Sequence, residues 1–247
     1  MENYFAFPYD GGPFVPFGTA HLGALGVILS LGVCFWIFRA KLVLLTRIRI
    51  GLAVLLLVNE VGWHIWHLVH GLWNVQTLLP LNLCNLLVLL SIYTLVTKQQ
   101  ISYEFVYLLG IPAASQVLLT PALGMFGFPH ILFFQIFISH GGVVLAALYL
   151  TVVEKLRPAG WKAVRRTIIW TTIYAAFIFV LNPLIGGNYL FLAYKPSAAT
   201  LMDFLGDWPW YILWMELIGV GLVALMYMPF VFRDARPGNI ERSTPPK

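Results

Sequence analysis

Charge is what this sequence has least of: Asp, Glu, Lys and Arg make up 10% of its 247 residues, against about 25% in an ordinary soluble domain. With 60% hydrophobic residues and a mean hydropathy of +0.83, that scarcity excludes a water-soluble globule. There is also no polar stretch of the roughly 50 residues that a separate small domain needs, so any chemistry has to sit among the apolar segments. Cysteine is nearly missing: Cys34 and Cys84 are too few for a disulfide framework and read as thiols. The opening MENYFAFPYDGGPFVPFG has no basic stretch and carries Glu2 and Asp10. It therefore lacks the pattern of a cleavable signal peptide, and the first apolar segment is expected to do the targeting. No internal repeat is found.

What is present is a series of long apolar runs. Stretches free of acidic and basic residues cover 11–38, 61–97, 105–153, 167–194 and, interrupted only by Glu216, 208–232. A membrane-crossing helix takes about 20 apolar residues, so two of these runs are long enough to be divided. The turn-forming Trp73, Asn74, Gln76 and Pro80 split one, and Gly124, Gly127 and Pro129 split the other. The chain is thus expected to be an all-α, polytopic membrane protein. Its seven helices lie near 18–38, 51–71, 78–97, 103–122, 131–153, 167–187 and 208–232, in one bundle over 1–232 with a polar tail over 233–247.

The net charge of +5 sits in short segments flanking the apolar runs, the pattern of membrane topology, and this argues against nucleic acid as a partner. With seven spans and the N-terminus outside, the inner segments collect Arg39, Lys41, Arg47 and Arg49, then Lys98, then Lys155 to Arg166, then Arg233 to Lys247, and only Lys195 falls outside. Removing the second span would put the 155–166 cluster outside, against the positive-inside bias. The expected orientation is N-out and C-in. The segment 188–207, rich in Tyr, Phe and Leu, is expected to lie along the outer surface.

An ionisable side chain inside hydrocarbon costs about 2.5 to 3.5 kcal/mol on insertion scales unless it meets a partner or a cavity, so the place where such residues gather is informative. With a rise of about 1.5 Å per residue, they gather in the outer half: Glu60, His64, His67 and His70 on helix 2, Asn82, Cys84 and Asn85 on helix 3, Gln135 and His140 on helix 5, Asn182 on helix 6 and Glu216 on helix 7, with His21 and Gln116 in the same layer. No Lys or Arg is expected inside a helix, which excludes a retinal-type Schiff base. An outward-facing polar cavity is the expectation.

Each of these features has an ordinary reading beside a functional one. Cys84 is a packing residue, or a nucleophile if a base such as His140 faces it. The step of three in His64, His67 and His70 lines a cavity or holds a metal. Glu216 pairs with a histidine or stays protonated. Gly23 and Gly26, Gly141 and Gly142, and Gly219 and Gly221 read as close-packing points.

The motifs LPLNLC at 79–84, FISHGG at 137–142, NYLFLAYKP from 188 and GDWPWYILWME ending at 216 resemble the bacterial YwaF family of integral membrane proteins, related to the transmembrane protein 164 group. That resemblance implies a lipid acyltransferase using a cysteine and a histidine, which fall on Cys84 and His140. The expected activity is therefore transfer of an acyl chain between membrane phospholipid or lysophospholipid molecules, or lipid hydrolysis, with no cofactor and no catalytic metal. Asn82, Asn85, Gln135 or Asn182 would act as oxyanion donors, and Glu216 or a helix 2 histidine would orient His140. The rival expectation is a non-enzymatic bundle: a solute or lipid transporter, or a metal- or haem-binding protein built on the helix 2 histidines.

Overall fold

The computed structural model describes residues 4–42, 46–196 and 201–234. Among them the fold is all-α. We number the helices α1 (Thr19–Leu42), α2 (Thr46–Val69), α3 (Leu83–Thr97), α4 (Gln100–Leu119), α5 (Ile131–Val152), α6 (Trp161–Ile185) and α7 (Trp210–Asp234), with short 3₁₀ turns at Tyr189–Phe191 and Leu201–Leu205. Six of these are long and apolar enough to cross a membrane; α3, with 15 residues, is the shorter one, because at 1.5 Å per residue it covers only about 22 Å of a hydrocarbon layer about 30 Å thick.

Helix α5 lies at the centre, packed against α1, α2, α3 and α4, while α6 and α7 pack on each other and on α4. The main core joins Leu56 of α2, Leu87 and Val88 of α3, Leu108 of α4, and Val143, Ala146 and Ala147 of α5. By contrast, α1 buries only His21, as expected for a helix apolar all round that faces lipid. Close packing at the centre depends on Gly141 and Gly142: a Cβ on Gly141 would lie 2.6 Å from Ile28, and one on Gly142 2.5 Å from Leu56. The other glycine pairs are not contact points, since a Cβ at Gly23, Gly26, Gly219 or Gly221 would meet nothing within 4 Å.

The observed boundaries correct the expected ones for physical reasons. Helix α3 begins at Leu83 rather than near 78. Pro80 biases the residue before it away from helical geometry, and the turn it makes is fixed from a distance: the Tyr189 hydroxyl donates to the Val75 carbonyl and accepts from Leu79 N, each at 2.8 Å. Helices α2 and α6 start earlier than expected and so contain Arg47, Arg49, Lys162, Arg165 and Arg166 in their opening turns. The expectation of no basic residue within a helix is thus corrected. Inside α4 the ladder opens into one π turn, Val106–Gly110, just ahead of Pro112, which has no N–H to give and would crowd the preceding turn. Of the expected tail, 235–247 lies outside the described residues.

Salt bridges define one end of the bundle. Arg49 donates to the Val96 carbonyl at 2.9 Å and also to that of Leu95. Glu154 takes Arg49 at 3.4 Å and Lys98 at 2.6 Å. This basic end gathers the start of α2, the end of α3 and the end of α5, so α3 and α5 run in the same direction. The opposite end is closed by a strap, residues 4–18. Its main chain is held by Trp66 Nε1 to Phe5 O at 2.9 Å, Ile131 N to Tyr4 O at 2.9 Å, His130 Nε2 to Ala6 O at 3.1 Å and Phe14 N to Gly124 O at 2.9 Å.

Candidate functional site

The polar layer expected near one end resolves into distinct groups. Glu60 is 4% exposed, and its Oε1 accepts from Asn85 Nδ2 at 3.1 Å and faces His64 Nε2 at 3.7 Å. Trp73 Nε1 donates to His64 Nδ1 at 3.2 Å. An indole N–H can only donate, so Nδ1 is the acceptor and Nε2 carries the proton that faces Glu60. The second carboxyl oxygen, Oε2, is buried without a partner. A line from Trp73 through His64 and Glu60 therefore ends at Asn85, the residue after Cys84.

Cys84 lies in the first turn of α3, whose opening N–H groups have no intrahelical acceptor. Asn82, the residue before the helix, does not cap them with its side chain, because its Oδ1 accepts from Leu190 N at 3.1 Å. On α5, His140 Nδ1 lies 2.9 Å from the Ile136 carbonyl. A carbonyl only accepts, so Nδ1 carries the proton and Nε2 is the basic nitrogen. The relative level of the two residues follows from Gly110, whose Cβ would sit 3.0 Å from Val143 and 3.7 Å from Leu87. Leu87 of α3 and Val143 of α5 share that level, and three residues back along each of these parallel helices stand Cys84 and His140. Glu60 is one turn beyond Leu56, which meets Gly142, so Glu60, Asn85, Cys84 and His140 occupy one layer about a turn thick.

Other expected members of the site are engaged elsewhere. Asn182 is clamped to the Tyr189 main chain, donating from Nδ2 to its carbonyl at 2.9 Å and accepting from its N–H at 2.8 Å. Glu216 accepts from Thr172 across the α6–α7 contact, and the Nδ1 bond of His140 goes to the Ile136 carbonyl of its own helix. His67 and His70 each donate from Nδ1 to the carbonyl four residues back, at 2.8 Å, and lie against the Trp63 and Trp66 rings. Gln135 lines two grooves beside Trp63 and Trp66, and its carbonyl accepts from Asn59 Nδ2 at 3.2 Å. Gln116 is exposed on α4. Among the described residues, no group of three or more His, Cys, Asp or Glu side chains converges as a metal cage.

Two histidines serve the architecture. His21 has both nitrogens filled, by Phe17 N at 2.9 Å and the Leu118 carbonyl at 2.8 Å. His130, which sequence reasoning passed over, precedes α5, accepts from Leu132 N on Nδ1 at 3.2 Å and donates from Nε2 to Ala6 O. The only local hint to it was its place after Pro129, ahead of an apolar run. Burial pushes the His130 pKa below its ordinary value of 6.5; the Ala6 hydrogen bond opposes this, and His70 adds to it. The folded chain thus holds this proton less well than the unfolded chain. The stabilisation is full above about pH 6.5 and is lost progressively as the pH falls through the folded-state value. The thermal midpoint in detergent is expected to fall below about pH 6.5, and His130→Gln to flatten that dependence; an unchanged slope in the variant would assign the effect to another group.

Lateral grooves flank this layer. One of about 660 Å³ separates α1 and α2 from α5, and one of about 540 Å³ lies between α3, α4 and α6. Cys84 and His140 line neither. In comparison with known proteins, the profile of the TMEM164 family matches residues 16–227. No curated protein and no solved structure matches the chain.

Proposed function

This chain belongs to the TMEM164 family of membrane proteins, and on that premise we propose that it is a lipid acyltransferase in which Cys84 is the nucleophile and His140 the base. The observation that carries the reading is the pairing in level of a thiol at an uncapped helix start with an imidazole whose Nε2 is the basic nitrogen. His140 Nε2 takes the thiol proton, and the thiolate attacks an ester carbonyl of a phospholipid. The ester C–O bond breaks as His140 returns the proton to the departing lysolipid oxygen, leaving a thioester on Cys84. An acceptor hydroxyl, its proton taken by His140, then attacks the thioester; the new ester forms and the thiol is regenerated. The free N–H groups of the first turn of α3 and the Asn85 amide supply donors toward the oxyanion. Water in place of the acceptor would give hydrolysis.

The same reading takes all seven helices as crossing the membrane, with residues 1–232 as one domain and 233–247 as a cytoplasmic tail. The basic end faces the cytoplasm of a bacterial plasma membrane, following the positive-inside bias. The reacting layer then lies in the outer half, away from soluble acyl donors, so phospholipid and lysophospholipid are the partners.

Intact mass spectrometry of protein purified from membranes tests the intermediate. Wild type is expected to carry a hydroxylamine-labile acyl adduct on Cys84. Cys84→Ser carries none, or a hydroxylamine-resistant ester. If wild type stays unmodified after incubation with phospholipid, covalent catalysis is wrong.

A further inference from the structure

We infer that the groove between α3, α4 and α6 is a binding site for a phospholipid, with its phosphate against Arg166 and one acyl chain lying along α3. Cys84 and His140 do not line this site, and it does not depend on the acyltransferase reading. Its volume is about 540 Å³. Leu83, Leu86 and Leu90 form an apolar wall along one face of α3; at the basic end the lining changes to Arg166 and Ser102, with Thr171 about 7.5 Å further along α6. From Leu83 to Tyr93, also in the lining, the wall rises about 15 Å, half of a hydrocarbon layer about 30 Å thick. The groove is therefore one leaflet deep, apolar along its length and polar at one end, which is the pattern of an amphiphile.

The polar end is suited to an anion. Arg166 is 31% exposed at its side chain. It gives Nε and Nη2 to Glu104, which leaves the two Nη1 hydrogens available. Glu104 is fully buried and is saturated on its other oxygen by Gln100 Nε2 at 3.1 Å and Ala159 N at 3.0 Å. It lies behind the arginine, outside the groove lining, so the face presented to a ligand is cationic. Thr171 lines the same groove, and its hydroxyl is buried without a hydrogen-bond partner, although a helical threonine ordinarily satisfies itself on the carbonyl of the preceding turn. A guanidinium with a free edge and an unused hydroxyl are groups that take phosphate oxygens. The leucine wall commits the occupant to a lipid rather than free phosphate.

The test is native mass spectrometry of the full chain in a mild detergent, titrated with phosphatidylglycerol. Wild type is expected to retain one lipid, which millimolar inorganic phosphate does not displace. Leu90→Trp fills the groove while leaving the Arg166–Glu104 pair in place, and is expected to weaken retention by about tenfold or more. Thr171→Val keeps the shape, removes one hydroxyl, and is expected to weaken it about two- to tenfold. The thermal midpoint of each variant reports folding. If Leu90→Trp does not fold, Thr171→Val decides. Wild type without a retained lipid, displacement by inorganic phosphate, or undiminished retention in the folded variants overturns the assignment.

Discussion

Glu104→Ala is expected to destabilise the bundle by about 3–5 kcal/mol, the usual effect of removing one partner from a buried ion pair. The carboxylate is fully buried and accepts four hydrogen bonds, from Gln100 Nε2, Ala159 N, and Nε and Nη2 of Arg166. Through them it ties α4 to the connection between α5 and α6 and to α6 itself. Without it, the arginine is left beside a cavity with its charge uncompensated and the Ala159 N–H loses its acceptor. Glu104→Gln separates charge from shape, since it retains an acceptor for Ala159 but turns an amide or a neutral oxygen toward Arg166. Thermal unfolding in detergent, followed by near-ultraviolet circular dichroism, ranks the forms as wild type, Gln, then Ala. A midpoint unchanged in the alanine variant would mean that this end of the bundle is held by the Arg49–Glu154–Lys98 group alone.

His140→Ala is expected to lower acyl transfer by about 10²–10⁴-fold on the proposed mechanism, the range contributed by a positioned general base. The loss appears equally in kcat and kcat/KM, as it does for an interaction made only in the transition state. The fold is expected to tolerate the change better than loss of Glu104, because the imidazole donates only to a carbonyl of its own helix. Added imidazole, small enough to enter the vacated space, is expected to restore part of the rate in the alanine variant and none in Cys84→Ala. Full activity without His140 would remove it from the chemistry and leave the thiol without a base.

Much of the helical pattern was legible because one physical quantity, the cost of charge in hydrocarbon, governs it. Runs with few or no acidic and basic residues located six helices, loop charge supported the seventh at 51–71, which contains Glu60, and the turn residues at Gly124, Gly127 and Pro129 marked the loop ahead of α5. What was hidden depended on partners far away in sequence. The late start of α3 is held by Tyr189, which lies 110 residues beyond Leu79, and no local window contains that information. Polar residues in apolar surroundings were recognisable as special, but not by role. Asn82 and Asn182 are alike in composition to Asn85, yet the first two fasten loop backbone and only the third joins Glu60. The glycine pairs had one signature and two outcomes, since whether a Cβ finds a neighbour is decided by Leu56 and Ile28 on other helices. The levels of Cys84 and His140 required the register of α3 against α5, which spacing within either helix does not contain.

The strap over the far end is gripped by its carbonyl oxygens at Tyr4, Phe5 and Ala6, while the gripping groups are the indole of Trp66, the imidazole of His130 and the amide of Ile131. Every amino acid supplies a carbonyl, whereas few supply a ring N–H at the required reach. Substitution is therefore asymmetric across this contact. Tyr4 and Ala6 keep these hydrogen bonds whatever their side chains, and the burden of holding them falls on groups remote from them in the chain.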